Sequence, residues 1–186
     1  MRFLLRLEPR DPDRPAFLAA VRSVAANLGA KAVNPKWTSY GALEIDVFAP
    51  TRRDFEVVLA ALAPLGKPEF AKDLQQTPPF LPKEQAVAEA VSLFNAERFW
   101  EAHEVLESLW RVAEGQEKKL LQGLILVCAA FVHLQKGEQS VALGVARRGL
   151  PLLDWSGSSY YAVGVRDARR RMARMVEAGE LSLFRL

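Results

Sequence analysis

The sequence predicts an α+β protein in which a ferredoxin-like βαββαβ domain is followed by an all-α helical bundle. Three observations predict it. The apolar residues of the first part alternate between strand and helix spacing. A proline-rich stretch, TPPFLP, then interrupts the chain, and every later segment has helical spacing with short connections. We therefore expect a domain over residues 1–76, a linker over 77–82 and a bundle over 83–186.

The N-terminal domain begins with a strand and a helix. In residues 2–8, apolar side chains alternate with charged ones, as in a half-buried strand. Asp11 followed by Pro12 is typical of a helix N-cap and the first helical position. An apolar stripe at helical spacing then continues to Gly29, where we expect the helix to end.

A hairpin, a second helix and an edge strand follow in the same domain. A short extended piece precedes the alternating residues 43–47, and together they predict a hairpin. Thr51 and Asp54 have the spacing of a capping box, and we expect Gly66 to close the helix that it starts. Residues 68–74 can supply the last strand, at a sheet edge where proline is tolerated.

The exposed sheet face of this predicted domain argues against RNA binding. Domains of this fold that read RNA stack bases on aromatic side chains of that face. Here the residues opposite the apolar positions of the third strand are Glu44, Asp46 and Phe48. Two carboxylates on this face would repel the phosphates of RNA. The fold by itself assigns no function to the domain.

The bundle should contain five helices. We expect them over residues 83–95, 98–113, from Gly115 to about 135, 138–150, and from the end of the loop 154–161 to about Gly179. The third is apolar nearly all round from Leu120 to Leu134, which predicts that it lies at the centre of the bundle.

Composition excludes several classes of protein. Half of the residues are hydrophobic and 25% are charged, too apolar for a disordered chain. The single cysteine, Cys128, excludes an internal disulfide and a cysteine-based zinc cluster, and it favours a reducing compartment. The longest apolar run, Leu120–Leu134, is too short to span a membrane, and Arg6 and Glu8 interrupt any signal-peptide core. We expect a cytoplasmic protein with no membrane span.

The stretch FWEAHEVLESLW carries the candidate site. His103 and Glu107 lie one turn apart on a helix that is otherwise suited to burial. On a helical wheel, His103 falls beside Trp110 in the apolar arc and Glu107 at its edge. Two polar residues, Gln122 and His133, interrupt the apolar run of the central helix and fall on one side of it. The predicted polar cluster consists of Trp100, His103, Glu107, Trp110, Gln122 and His133.

Two interpretations of this cluster stay open. It can be a buried network that satisfies its own hydrogen bonds, with Glu107 fixing the tautomer of His103. It can instead be a functional pocket, in which His103, Glu107 and His133 hold a divalent metal or in which the pair acts as acid and base. We assign no metal, because HEVLE is not an HExxH motif. We also expect no cofactor, since no glycine-rich phosphate loop occurs.

Two longer segments resemble a known family. FNAERFWEAHEVLESLWR, followed by LLQGLILVCAAFVHLQKG, is similar to the DUF309 family, whose HxxxExxW signature matches His103, Glu107 and Trp110. The FN, FWEAHE, LLQGLI and HLQKG stretches agree in order, and the likeness covers about residues 90–153. The resemblance implies an all-α domain without an established biochemical function.

Three functions follow as hypotheses, and whether the protein is an enzyme stays open. The first is a binding or interaction module built on the polar cluster, which leaves a protein partner or a homo-oligomer open. The second is a small-molecule or metal-dependent enzyme that uses His103, Glu107 and His133. The third is binding of an anionic partner through the basic last helix, although we favour a solvated helix face as the explanation of that charge and do not expect nucleic acid. The basic residues are Arg166, Arg169, Arg170, Arg171 and Arg174.

Overall fold

A computed structural model describes residues 1–76 and 81–186 of the chain. The chain divides into two compact units, Met1–Pro79 and Phe80–Leu186, called unit 1 and unit 2 below. Residues 77–80 of the predicted linker lie outside the described residues. Unit 1 contains strands and helices and unit 2 contains helices, so the predicted α+β class is confirmed.

Unit 1 is built on a four-stranded antiparallel sheet. The described elements are β1 (Arg2–Pro9), α1 (Arg14–Asn27), β2 (Lys31–Trp37), β3 (Leu43–Phe48), α2 (Arg52–Leu62) and β4 (Gly66–Asp73). The strands lie in the order β2-β3-β1-β4, and each neighbouring pair is antiparallel. The alternating residues of β1 are buried on the face that packs into the core; the rings of Phe3 and Phe55, for example, stack with centroids 3.9 Å apart.

The capping box that starts α2 is confirmed. The Asp54 N–H donates to Thr51 Oγ1 at 3.2 Å, and the Thr51 N–H donates to Asp54 Oδ2 at 2.9 Å. Two otherwise unpaired backbone donors are thereby satisfied, so the residues that begin α2 were readable from their spacing alone.

Two predicted boundaries of unit 1 were wrong. The N-cap of α1 is Asp13, whose Oδ1 accepts from the Ala16 N–H at 3.0 Å, and Asp11 instead accepts from the Asp13 N–H. Gly66 does not close α2, which ends before it, but begins β4. A Cβ at Gly66 would lie 2.7 Å from the Glu8 carbonyl oxygen, so glycine is required there by the close approach of β1.

The two carboxylates expected to repel phosphate are paired and buried. Glu44 contacts Arg6 Nη2 at 2.8 Å and Lys36 Nζ at 2.7 Å. Asp46 contacts Arg2 Nη2 at 2.8 Å. The repulsion argument was therefore wrong, because each carboxylate is neutralised by a cation that the alternation pattern did not take into account. Glu44 is 1% exposed and presents no charge to a nucleic acid.

Unit 2 is an assembly of helices around α5. Its described elements are α3 (Lys83–Asn95), α4 (Phe99–Trp110), α5 (Gly115–Gln135), α6 (Gln139–Gly149), a 3₁₀ turn (Leu150–Leu152) and α7 (Val165–Ala178). α5 packs against both α4 and α6, and α3 packs against α4, so α5 is central as predicted. In the described residues, no helix combines the length and the apolar character that crossing a membrane requires.

Glycines follow two of the described helices in unit 2. Gly137 and Gly179 follow α5 and α7 with φ of 76° and 73°, the left-handed conformation that glycine adopts without strain. The expectation for Gly115 is confirmed: it separates α4 from α5 and is the first residue of α5, with a φ of 57°.

Four phenylalanine rings, the aromatic cluster, occupy the core where α3, α4 and α5 meet. Phe131 on α5 lies with its ring centroid 5.3 Å from Phe94 and 5.2 Å from Phe99. Phe184, beyond α7, completes the cluster at 5.6 Å from both Phe94 and Phe131. These tilted and edge-on contacts are the favoured geometries of aromatic pairs, so the cluster joins four segments by specific packing.

A hydrogen-bonded carboxylate ties together the starts of α3 and α5 and the loop before α7. Glu117 accepts from the Tyr160 hydroxyl at 2.6 Å and from Lys83 Nζ at 2.8 Å. The bond from Lys83, followed by that from Tyr160, lowers the pKa of Glu117 below its ordinary value of 4.5. The folded state therefore favours the ionised form of the Glu117 carboxylate. Glu117 stabilises unit 2 at pH values above its ordinary pKa, and this stabilisation is lost as the pH falls through the lowered pKa.

We therefore expect Glu117→Gln to flatten the acid side of the stability profile of unit 2. The wild-type protein should lose more of its stability than the variant between pH 6 and pH 3. Urea unfolding at a series of pH values measures the difference. Glu89→Gln, at an exposed position of α3, is the matched control and should leave the profile unchanged. Equal slopes for wild type and Glu117→Gln would contradict the assignment.

Candidate functional site

The candidate site lies on the part of α4 that is turned away from the core. Phe99, Ala102, Leu106 and Leu109 are buried and fix the orientation of the helix. With that face buried, the histidine one residue after Ala102 lies at the border of the core rather than within it. The side chains of His103 and Glu107 are 20% and 33% exposed. The site is therefore open to solvent along one edge of α4.

The buried, self-satisfied network considered for this cluster is not found in the described residues. His103 Nε2 lies 3.8 Å from Glu107 Oε2, which is too long for a hydrogen bond. His103 Nδ1 is buried and has no hydrogen-bond partner among the residues described. Trp100 stacks on the imidazole, with centroids 5.3 Å apart and planes 7° from parallel. The histidine is thus held by a ring contact, and its nitrogens are not satisfied by Glu107.

Glu104, which the predicted cluster did not include, belongs to the site. It is exposed, but its carboxylate lies close to the other two groups: donor atoms of His103, Glu104 and Glu107 are all within 4.8 Å of one another. Residues three apart are neighbours on a helix, so the spacing of Glu104 and Glu107 was the signal that the sequence offered. Arg111 Nη2 donates to Glu107 Oε1 at 3.2 Å, while Oε2 is the oxygen nearest His103.

The other predicted members of the cluster have different neighbours. His133 Nδ1 contacts the carboxylate of Glu138, just beyond α5, and this contact lowers the pKa of Glu138. Trp110 lies beneath Lys118, whose Nζ is 4.8 Å from the ring centroid. Gln122 is half-buried on α5. Of the predicted set, Trp100, His103 and Glu107 are the residues joined by direct contacts with one another.

The basic residues of α7 are partly neutralised within the helix. Asp167 forms ion pairs with Arg170 and Arg171, and these bonds lower its pKa. Arg169 lies 3.7 Å from Asp154. Arg166 and Arg174 are exposed. This arrangement agrees with a solvated helix face, which was the alternative to binding of an anionic partner.

The helical unit carries the family relationship. Residues 87–145 match the family described as a domain of unknown function, DUF309, which confirms the predicted resemblance over that segment. The confirmed segment contains His103, Glu107 and Trp110.

A solved structure and the curated proteins complete the comparison. The crystal structure of the conserved hypothetical protein TTHA0068 from Thermus thermophilus is similar at 30% identity, over 53% of this chain and 99% of that one, with a TM-score of 0.43. Among curated proteins, none matches this sequence.

Proposed function

We propose that unit 2 is a binding module whose ligand is a divalent cation, held on α4 by His103, Glu104 and Glu107. One observation carries the proposal: the three donor groups converge within 4.8 Å on a solvent-accessible edge of the helix. An imidazole and two carboxylates suit ions such as Zn²⁺ and Mn²⁺.

The spacing of the donors supports a bridging ion. Protein bonds to zinc are about 2.0–2.2 Å long, so two ligand atoms on one ion lie about 3–4 Å apart. The 3.8 Å between His103 Nε2 and Glu107 Oε2 lies in that range. Glu104 is exposed and free to change rotamer, and Arg111 orients Glu107. A cation would also relieve the repulsion between two carboxylates placed one turn apart.

The test is titration of untagged protein with Zn²⁺, Mn²⁺ or Mg²⁺ alone, followed by calorimetry and thermal unfolding. We expect Zn²⁺ to bind with a stoichiometry of one per chain and to stabilise unit 2 by about 2.7 kcal/mol at one hundred times its Kd. His103→Ala should abolish both effects while changing the stability of the ion-free protein by less than about 1 kcal/mol, because the side chain is part-exposed.

His133→Ala is the matched control, since the chain has two histidines and His133 contacts Glu138 instead. It should bind Zn²⁺ like the wild type. Loss of binding in His133→Ala would return that residue to the site, and the absence of a zinc-dependent shift in the wild type would refute the cation site.

We further propose that unit 1 is a ferredoxin-like domain and that the protein works in the cytosol. The βαββαβ order and the antiparallel order β2-β3-β1-β4 support the first statement. The single cysteine, Cys128, which is buried, supports the second. Cell fractionation tests the location, and an experimental structure of unit 1 tests the topology.

A further inference from the structure

Two positively charged side chains, called the basic pair (Arg111 and Lys118), border the cation site on α4. Trp110 and Arg111 lie three and four residues after Glu107, the spacings that place side chains next to one another on a helix. Arg111 Nη2 donates to Glu107 Oε1 at 3.2 Å. Lys118, in the first turns of α5, places its Nζ 4.8 Å from the centroid of the Trp110 ring. The basic pair therefore adjoins the donor groups from two directions, through a shared carboxylate and through a ring.

Both charges of the basic pair are available to a ligand. The side chain of Arg111 is 67% exposed, and its ion pair with the part-exposed Glu107 leaves much of the guanidinium in solvent. In the part of the chain that the structure describes, Lys118 lies over a ring and forms no ion pair. A contact with an indole face positions an ammonium group without cancelling its charge. Trp110 is thus a positioning residue for Lys118.

The charge of this edge of α4 changes when a divalent ion occupies the cation site. Without an ion, the carboxylates of Glu104 and Glu107 offset the basic pair and repel an approaching anion. A divalent ion between the donors cancels both carboxylates and leaves the charges of Arg111 and Lys118 unopposed. An ion held by three protein groups also keeps a coordination position open for a further ligand. The edge therefore gains an attraction for a dianion only once the cation is in place.

We propose that the occupied cation site binds the phosphate group of a phosphate monoester. This inference rests on the proposed function, because the ion supplies one of the contacts. One phosphate oxygen would take the open position on the ion, and the others would accept from the Arg111 guanidinium and the Lys118 ammonium. A monoester phosphate carries nearly two negative charges at neutral pH and has three acceptor oxygens. It thus satisfies the ion and both members of the basic pair at once.

Glu107 places the ion and the guanidinium at neighbouring positions. Its Oε2 is the oxygen nearest His103, and its Oε1 accepts from Arg111. An ion on Oε2 and a guanidinium on Oε1 therefore lie beside one carboxylate, where a single phosphate can reach both. Guanidinium groups bind phosphate oxygens through charge-assisted, often paired hydrogen bonds. A carboxylate ligand has one charge and two oxygens, so it would leave one of these partners without a contact.

The experiment is calorimetric titration of the full chain, with and without one equivalent of Zn²⁺, at constant ionic strength. We expect phenyl phosphate to bind the zinc-loaded protein with a stoichiometry of one and at least about tenfold more tightly than the ion-free protein. Saturating phenyl phosphate should raise the affinity for Zn²⁺ by the same factor, because the coupling is reciprocal. Inorganic phosphate should bind comparably, since the edge is open to solvent on the side of the ester group.

Lys118→Met separates phosphate binding from zinc binding, because Lys118 contacts none of the three donor groups. It should bind Zn²⁺ like the wild type and phenyl phosphate about tenfold more weakly, as expected for the loss of a charged hydrogen bond. Lys119→Met is the matched control: it removes the same charge from the next, exposed position and should change phosphate binding less than about twofold. Arg111→Gln at saturating Zn²⁺ should weaken phosphate binding about tenfold as well.

The outcomes distinguish this inference from the cation site on which it rests. Zinc binding without phosphate binding overturns the inference and leaves the cation site intact, whereas a chain that binds no Zn²⁺ removes both. Equal phosphate binding by the zinc-loaded and ion-free proteins, or equal losses in Lys118→Met and Lys119→Met, would show a general attraction and overturn it. Acetate that binds as tightly as phosphate contradicts the dianion, and exclusion of phenyl phosphate alone contradicts the monoester.

Discussion

Replacement of Glu44 by glutamine is expected to lower the free energy of unfolding of unit 1 by about 3–5 kcal/mol. The Glu44 side chain is 1% exposed and neutralises two cations, Arg6 and Lys36, which are 3% and 5% exposed. Burial lowers the pKa of Arg6, but the Glu44 carboxylate outweighs this effect and raises it, so the guanidinium stays charged. The variant keeps both buried cations and removes the carboxylate that they share.

Urea unfolding followed by the fluorescence of Trp37, the tryptophan of unit 1, measures this loss. Glu8→Gln makes the same chemical change at an exposed position of β1 and should cost less than about 0.5 kcal/mol. Changing Glu44 to glutamine together with Lys36 to methionine should recover part of the loss, because one buried cation is removed with its partner. A loss below about 1 kcal/mol for Glu44→Gln would contradict the charge pairing described.

Phe131→Ala is expected to destabilise unit 2 by about 3–5 kcal/mol. The side chain is fully buried, and its ring contacts Phe94, Phe99 and Phe184. Its removal leaves a cavity that three rings from different segments line, and rigid rings fill such a space poorly. Residues 180–186 should loosen as well, since Phe184 loses one of its two aromatic neighbours.

Thermal and urea unfolding monitored by far-UV circular dichroism measures the first effect, and hydrogen exchange at residues 180–186 measures the second. Val141→Ala, at an exposed position of α6, is the control and should change the stability of unit 2 by less than about 0.5 kcal/mol. If Phe131→Ala unfolds at the same temperature and urea concentration as Val141→Ala, the expected destabilisation by a cavity is contradicted.

Local rules account for the parts of the fold that were predicted. The capping box of Thr51 and Asp54 and the glycine ends at Gly137 and Gly179 depend on residues a few positions apart, so one sequence suffices to find them. The N-cap of α1 was predicted wrongly because two local signals compete. Asp11 and Asp13 both suit an N-cap, and the helix uses the one whose side chain reaches the Ala16 N–H.

Part of the candidate site was likewise visible in the sequence. Helical spacing placed His103 and Glu107 on one edge of α4 and brought Trp100 close to the histidine. His133 was grouped with them because it lies on the same side of α5 as Gln122, yet its position along that helix gives it Glu138 as a neighbour. Periodicity gives the face of a helix but not the neighbour that faces it.

By itself, the sequence determined the α+β class, the order of the elements, the helical unit whose residues 87–145 match DUF309, and the turn of α4 that carries the candidate site. Each depends on spacing along one segment. Only the tertiary structure decided that Glu44 is paired and buried, that Glu104 converges with His103, and that Asn95 binds Leu186. Contacts between distant segments depend on the angle and depth at which elements pack, which residue spacing within one element does not determine.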